Sequence, residues 1–291
     1  MILDLREIFE KNEKYINETV TVQGWIRNHR KQKSFGFIDF SDGTHQTHLQ
    51  IVYDDSLSTF NEITKLHIGS AITVTGKIIE SSHVGQQIEM QASEVILEGD
   101  CDEEYPIQPK RHTREFLREN AYLRPRTDLF SAVFRVRSKV AYAIHKYFQE
   151  RGYVYFQAPL ITASDCEGAG EMFKVTALNI DNINGKIDYT KDLFSKPTSL
   201  TVSGQLEAET WAMSYKKVYT FGPTFRAENS NTKTHANEFW MIEPEIAFCN
   251  LEQDMDIMED MLKYVVSYTL ENCKEEIDFF DKFVEKGLKD K

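Results

Sequence analysis

Two short runs in this sequence concentrate fixed positive charge. RNHRKQK, residues 27–33, carries four basic side chains, and KRHTREFLRENAYLRPRT, residues 110–127, carries five arginines and one lysine against two glutamates. The chemistry that suits them is contact with a polyanion. One such run is explained equally well as a solvated charged face, but two in an otherwise acidic chain shift the balance toward polyanion contact. A third stretch, FRAENSNTKTHANEFWMIEPE at residues 225–245, opens on an arginine, continues through polar residues without helical period, and closes on an apolar run. KKVYTFGPTF before it also reads as a strand, so the polar residues form a long hairpin loop. Hairpin loops longer than the usual two to five residues are often functional, with an ordinary exposed hairpin as the alternative. The loop CEGAGEMF holds two further carboxylates, Glu167 and Glu171.

Several chemistries are excluded. Cys101, Cys166, Cys249 and Cys273 are scattered, and without a CxxC spacing neither a zinc site nor a disulfide framework is indicated. No Walker loop or GxGxxG is present, so any nucleotide must be held by other means. The net charge of -12 argues against a chain-wide affinity for nucleic acid and confines such contact to the local basic runs. The start MILDLREIF lacks a basic n-region, and no window is long enough to span a bilayer, so a reducing cytoplasmic setting fits.

The elements that must position these residues follow from periodicity. At 291 residues, 41% apolar and 27% charged, the chain has the composition of a globular protein of two domains. ETVTVQGWI places Val20, Val22, Gly24 and Ile26 on one face, and SFGFIDF, THLQIVY, AITVTGKII and QIEMQASEVIL continue the alternation of half-buried strands. SLSTFNEITKL supplies a short helix between the third and fourth. Five strands with a helix there is the order of an OB barrel, which presents a strand face to single-stranded nucleic acid; another small barrel is the alternative. Phe35 and Phe37 share one side of the second strand beside the basic turn. A base stacked on such a ring gains roughly 1–3 kcal/mol, although at least one of the two rings is expected to fill the core. Residues 98–113 read as an aperiodic, proline-containing linker.

The second half mixes helices and strands. Val133, Val136, Val140, Ile144, Tyr147 and Phe148 form a helical stripe, and Gly152 suits its C-cap. YVYFQAPLIT reads as a strand with Pro159 near its end, which suits an edge or an interface. LTVSGQLEAETWAMSY turns from strand to helix near Ser203–Gly204, and a last helix has apolar positions at Met258, Met261, Leu262, Val265 and Thr269.

With those motifs in place, the chain resembles the class II aminoacyl-tRNA synthetases of the aspartate/asparagine subgroup, and within it the asparaginyl branch. RGYVYFQAPLI is similar to the family's first motif, at a dimer interface, and FRAENSNTKTHANEFWMIEPE is similar to its second, a very specific match. HTREFLRENAYLRPRT, EGAGEMF and SGQLEAET resemble asparaginyl-type signatures. The resemblance implies an α+β fold: an OB anticodon-binding domain at 1–100, a hinge at 101–127, and the motif 1 and 2 portion of a class II antiparallel sheet flanked by helices at 128–291. It implies ATP-dependent ligation of asparagine to tRNA(Asn) through an adenylate, in a cytoplasmic homodimer without a role for DNA or membrane. Arg226 then bridges the ATP α-phosphate and the amino-acid carboxylate, and Glu228 faces the adenine amino group or the tRNA end. His235 approaches the γ-phosphate and Phe239 stacks on adenine. Ser203, Gln205 and Glu171 hold the amino acid, and in the barrel Arg30, Phe37 and Gln50 meet the anticodon.

The two nearly isosteric substrates of the subgroup must be told apart by charge and donor placement. The aspartate enzymes carry a lysine three residues after the glutamine of this loop, where this chain has Ala208 followed by Glu209. A carboxylate there accepts hydrogen bonds from an asparagine amide and repels an aspartate carboxylate. The family's third motif is a glycine-rich strand and helix, yet after Gly222 the sequence contains only Gly287. A chain cut short and a shortened paralogue both fit, and the Mg²⁺ carboxylates are expected outside these residues. A non-catalytic RNA-binding or dimerising protein and an aspartate-charging enzyme are the rival readings.

Overall fold

Period-two alternation closes the first hundred residues into a barrel. The computed structural model describes all residues of the chain except 1, 82–86, 167, 169–170, 183–184, 231, 233 and 291. They divide into two compact units, residues 1–139 with 269–291, and residues 140–268.

In the first unit, α1 (Leu5–Glu10) and α2 (Asn12–Tyr15) lead into β1 (Thr19–Lys31), β2 (Phe35–Ser41) and β3 (Leu49–Asp54). After α3 (Phe60–Ile63) come β4 (Ala71–Glu80) and β5 (Ile88–Gly99). The strands close in the order β1-β2-β3-β5-β4, with β3 and β5 parallel and the other pairs antiparallel. Val20, Val22 and Ile26 point inward, with Ile38, Phe40, Leu49, Ile51, Val74 and Ile78 completing the core. Gly36 lies under the ring of Tyr53, and a Cβ there would overlap that ring. Phe35 and Phe37 correct one expectation. Neither fills the core: Phe35 is 40% exposed, and the two rings meet edge to face at 5.5 Å on the outside of β2. The inward register of this strand is taken by Gly36, Ile38 and Phe40.

The expected linker carries buried residues. Tyr105 and Ile107 are buried with Leu117 of α4 (Arg114–Glu119) and Leu123, forming a small core against Ile68, Cys101, Phe116 and Phe130. Spaced singly among acids and prolines, these apolar residues show no period. Of the basic run that follows, Arg126 Nη1 donates to Tyr105 Oη at 3.0 Å, and Arg124 lies 5.1 Å from the Phe130 ring. Both are bound to aromatic surface; Lys110, Arg111, Arg114 and Arg118 stay exposed.

The long helix α5 (Asp128–Glu150) follows, capped by Gly152 at φ +77°. Its stripe divides along its length. Ile144, Tyr147 and Phe148 are buried in the second unit with Tyr153, Tyr219 and Phe221, whereas Val133 is 37% exposed. The second unit holds two small sheets. One joins β7 (Ile161–Thr162), β8 (Lys174–Val175) and β9 (Thr198–Leu200) in the order β7-β9-β8. The other joins β6 (Val154–Tyr155), β10 (Lys217–Phe225) and β11 (Glu238–Ile246) in the order β11-β10-β6, antiparallel except for β6 on β10. The strand expected over YVYFQAPLIT is thus split in two: Val154–Tyr155 pairs with β10, with Phe156 adding one bond to Tyr219 O at 2.9 Å, and Ile161–Thr162 pairs with β9 in the other sheet. Between the two, Gln157 and Pro159 are exposed and pair with no neighbouring strand. Between β9 and β10 runs α6 (Gln205–Tyr215), and after β11 come α7 (Leu251–Asn272), α8 (Lys274–Phe283) and a 3-10 turn at Leu288–Asp290.

The last helical stripe is rotated from its expected place. Met261, Tyr264 and Val265 of α7 pack on the core, while Met258 and Leu262 are 51% and 58% exposed. Apolar residues recur on both faces of α7, so periodicity alone could not choose between them. Among the described residues, no helix is long and apolar enough to cross a membrane.

Candidate functional site

On the barrel, strand register gathers the three residues expected to meet a nucleic acid. Arg30 of β1 stands opposite Phe37 of β2, and Asp39 of β2 stands opposite Gln50 of β3. The Arg30 guanidinium carbon lies 5.0 Å from the centre of the Phe37 ring. Arg30 Nη2 donates to Gln50 Oε1 at 2.8 Å, and Gln50 Nε2 donates to Glu89 Oε2 at 3.1 Å. Both ends of the Gln50 amide are therefore committed, which fixes its orientation on the surface. The result is an outward aromatic pair with one guanidinium and one oriented amide beside it, suited to a single-stranded base.

In the second unit the hairpin β10–β11 is the frame. Its ladder runs from Lys217 opposite Ile246 to Phe225 opposite Glu238, and Arg226 N extends it by donating to Asn237 O at 3.0 Å. The loop 226–237 is thereby tied at its base. Asn237 Nδ2 donates to the carbonyls of Arg226 and Glu228 at 2.8 and 3.1 Å, which turns the backbone through the first polar residues. Glu228 and His235 are exposed on this loop, and His235 Nδ1 is bonded to Thr232 Oγ1.

Arg226 is half-buried, with its guanidinium carbon 5.5 Å from the Phe239 ring and Nη2 at 3.5 Å from the Val202 carbonyl. Two neighbouring segments converge on the same point. Ala227 N donates to the Glu171 carbonyl at 2.7 Å, and Phe225 N donates to the Thr201 carbonyl at 2.9 Å. The structure thus brings Arg226, Phe239, Glu171 and the turn 201–205 together, and leaves Glu228 and His235 on the outer loop. Glu167 lies outside the described residues.

The turn before α6 is pinned by a residue the sequence reading passed over. Glu243 of β11 accepts the Ser203 hydroxyl and the Gly204 N–H, the latter at 3.2 Å. Ser203 is buried, and its Oγ also accepts from Gln205 N at 3.1 Å. Gly204 is required by space, since a Cβ would come within 2.7 Å of the Ala158 Cβ. One helical turn on, Gln205 Nε2 donates to Glu209 Oε1 at 3.0 Å. A third carboxylate joins this corner. Burial first, then the charges of Glu209, Glu243 and Asp254, push the Glu245 carboxyl above its ordinary value. The signal for both missed residues was present: alternation along β11 puts Phe239, Met241, Glu243 and Glu245 on one face. The corner combines a guanidinium set over an aromatic ring with a run of carboxylates. It can hold an anion at one end and an ammonium or amide at the other.

Known proteins resemble the chain in sequence and in fold. The family model for tRNA synthetases class II (D, K and N) matches residues 113–289, and that for the OB-fold nucleic acid binding domain matches residues 20–98. The asparagine–tRNA ligase of Acholeplasma laidlawii is 56% identical over 293 residues, which cover 99% of this chain and 63% of the relative. That of Clostridium tetani is 53% identical over 290 residues, covering 98% and 63%. The chain thus spans less than two thirds of the length of these curated relatives. A crystal structure of asparaginyl-tRNA synthetase from Pyrococcus horikoshii complexed with asparaginyl-adenylate is similar, with a TM-score of 0.79 at 26% identity over 92% of this chain and 58% of that one.

Proposed function

The chain belongs to the class II tRNA synthetases of the D, K and N group, and on that premise we propose that it serves the ATP-dependent ligation of asparagine to its tRNA through an asparaginyl-adenylate. In this reading residues 1–100 bind the anticodon, 101–127 are a hinge, and 128–291 carry motifs 1 and 2 of the catalytic domain. The setting is cytoplasmic, in keeping with four free cysteines.

The observation that carries the reading is the corner at Arg226, Phe239 and the Glu209–Glu243–Glu245 carboxylates. In the first step an asparagine carboxylate oxygen attacks the ATP α-phosphorus, and the bond to the β-phosphate breaks to release pyrophosphate. Two anions must approach, and a fixed guanidinium between them lowers the repulsion. Arg226 is that cation, its base held by the hairpin ladder. Phe239 offers a face to adenine, Glu228 reaches the adenine amino group or the tRNA end, and His235 reaches the γ-phosphate from the outer loop. Glu171 and Gln205 take the substrate ammonium, with Ser203 shaping their turn. In the second step a ribose hydroxyl of the tRNA attacks the acyl carbon and AMP leaves. Mg²⁺ accompanies ATP in this reading. Among the described residues no group of three or more His, Cys, Asp or Glu side chains is arranged to hold a metal ion, so no step is routed through one.

Selection of asparagine over aspartate follows from charge. A substrate carboxylate entering beside Glu209 meets like charge, and Glu243 and Glu245 add to the same field. An asparagine amide instead donates to a charged acceptor, worth about 1.5–3 kcal/mol. In an enzyme assembled from this chain and the remaining length of the Acholeplasma laidlawii relative, Glu209→Gln is expected to weaken asparagine-dependent pyrophosphate exchange by that amount and to admit more aspartate. Wild-type exchange as fast with aspartate as with asparagine would refute the assignment of substrate.

For the barrel, Phe37→Ala is expected to cost roughly 1–3 kcal/mol in binding an asparagine anticodon stem-loop, because a stacked base loses its platform. A filter-binding titration showing no loss would remove Phe37 from the RNA face. The homodimer belongs to the same proposal. Its support lies at the outer edge of β6, where Tyr155 and Pro159 are exposed. Sedimentation of the assembled enzyme as a monomer at micromolar concentration would count against it.

A further inference from the structure

The β2–β3 loop, residues 42–48, is bound to helices on every side. Arg135 of α5 donates to the carbonyls of Gly43, Thr44 and His45, the bonds to Thr44 and His45 both 2.9 Å long. Gln46 Nε2 donates to the Asp128 carbonyl at the start of α5, 3.2 Å away. From α8, Glu275 accepts Thr47 Oγ1 at 3.3 Å and lies 2.9 Å from His45 Nε2. The His45 ring is also stacked on Phe9 of α1 at 4.6 Å. At the end of the loop stands His48, its side chain only 21% exposed. Its Nδ1 lies 3.0 Å from Asp39 Oδ1 on β2, and its Nε2 lies 3.3 Å from Asp128 Oδ1 on α5.

From this geometry we infer that His48 is a protonated clasp, an imidazolium joining the barrel's β2 to the first residue of α5, and that loss of its proton loosens the β2–β3 loop from the helix. Each ring nitrogen faces a carboxylate oxygen. A neutral imidazole has one N–H and can satisfy only one of them, leaving a lone pair against the other carboxylate. Only the doubly protonated ring bonds Asp39 and also presents a proton and a positive charge to Asp128. The surrounding charges agree. Asp39 and Asp128 contribute two negative charges, and the half-buried Arg27 of β1 feels both aspartates as well as the positive charge of Arg126. Deprotonation of the imidazolium leaves one ring nitrogen without a proton against a carboxylate. Burial alone would lower the pKa of His48, but the bond from Asp39 and the charges of Asp39 and Asp128 hold it above its ordinary value of 6.5, against opposition from Arg27.

A raised folded-state pKa fixes the sign of the pH dependence. The stabilising contribution is complete below the unfolded histidine value and is lost as pH rises through the higher folded value. The clasp therefore loosens as pH rises past the ordinary histidine value of 6.5. It also stands next to the barrel's outer face: Asp39 lies two residues after Phe37 on β2 and so shares its strand face, and Asp39 stands opposite Gln50 of β3.

The test uses the full chain. Long-range ¹H–¹⁵N spectra of the imidazoles across pH 5.5–9 are recorded for the wild type and for Asp128→Asn, with His48→Gln serving to assign the signal. Both His48 nitrogens are expected to be mostly in the protonated range at pH 6.5, where an unperturbed histidine is half titrated. Their titration midpoint should lie above that of an unperturbed histidine and should fall in Asp128→Asn. Amide exchange over residues 43–47, corrected for its intrinsic pH dependence, should accelerate as His48 loses its proton, and at a lower pH in Asp128→Asn. A wild-type titration midpoint at or below that of an unperturbed histidine would overturn the proposal. So would loop exchange that does not follow the His48 titration. The wild-type titration decides the point even if a variant folds poorly.

Discussion

Arg226→Ala is expected to lower asparagine-dependent ATP–pyrophosphate exchange by roughly 10²- to 10³-fold, the scale seen when a preorganised transition-state charge partner is removed. The enzyme to use is again this chain joined to the remaining length of its Acholeplasma laidlawii relative. The magnitude follows from placement. The guanidinium springs from the residue directly after β10, tied by Arg226 N to Asn237 O at 3.0 Å, and rests against the Phe239 ring. It is therefore set in position before any anion arrives, and little reorganisation remains for the reaction step. Arg226→Lys keeps the charge and loses the planar fork, so it should recover only part of the rate. The KM for asparagine should change less than kcat, because a bridge between two anions matters most when they are closest. An alanine variant within tenfold of the wild type would show that another cation carries the step.

The second large effect concerns stability. Phe148→Ala should destabilise the chain by about 3–5 kcal/mol, the usual range for removing a fully buried aromatic ring. Phe148 has no exposed surface and is stacked on Tyr219 at 4.6 Å, with the Tyr147 and Tyr153 rings edge-on at 5.1 and 5.0 Å. Three aromatic neighbours cannot collapse into the vacated space without leaving their own rotamers. Phe148→Leu, which retains most of the volume, should cost markedly less. Urea unfolding followed by circular dichroism measures both. Because Tyr219 belongs to β10, whose end carries Arg226, the alanine variant should also reduce exchange activity at temperatures where the chain is still folded. A loss of stability below about 1 kcal/mol would mean that the cluster repacks freely.

The barrel was legible because its strands are one-sided: Val20, Val22 and Ile26 alternate with polar residues, and a register slip would turn all three to water. The hairpin carrying Arg226 was legible for a different reason. A polar loop between two apolar runs is unusual enough to mark itself, and the detailed resemblance of FRAENSNTKTHANEFWMIEPE to a family motif supplied roles that no periodicity could. The failures have physical causes. On α7, Met258 and Leu262 compete with Met261 and Val265 for the same helical pattern, and only packing decides which pair faces inward. Tyr105 and Ile107 are buried without any period, because a segment that crosses a surface hollow need contribute only isolated anchors. Glu243 was passed over because a carboxylate in a strand reads as solvent-facing. Its role appears only when β11 brings it against the turn at Ser203 and Gly204, far from it in sequence.

The first unit is discontinuous along the chain, made of residues 1–139 and 269–291 with the whole second unit between them. That order sets a timetable for synthesis. The barrel can close as soon as β5 has emerged, but His45 and Thr47 must wait for Glu275 of α8. At about 5–20 residues per second, the intervening stretch of about 130 residues takes on the order of 10 s to make. During that interval the loop 42–48 has its α1, β2 and α5 partners but not Glu275. Early folding of the second unit would shorten the search that follows. The rings of Tyr142 and Tyr268, near its two ends, lie 6.1 Å apart. Once it has folded, the tether between the two pieces of the first unit shrinks from a long flexible loop to a short rigid one, and the closure entropy of that loop no longer opposes their meeting. Slow codons or a ribosomal pause within the second unit should therefore favour correct assembly, and a circular permutation that makes residues 269–291 before residue 1 should remove the delay.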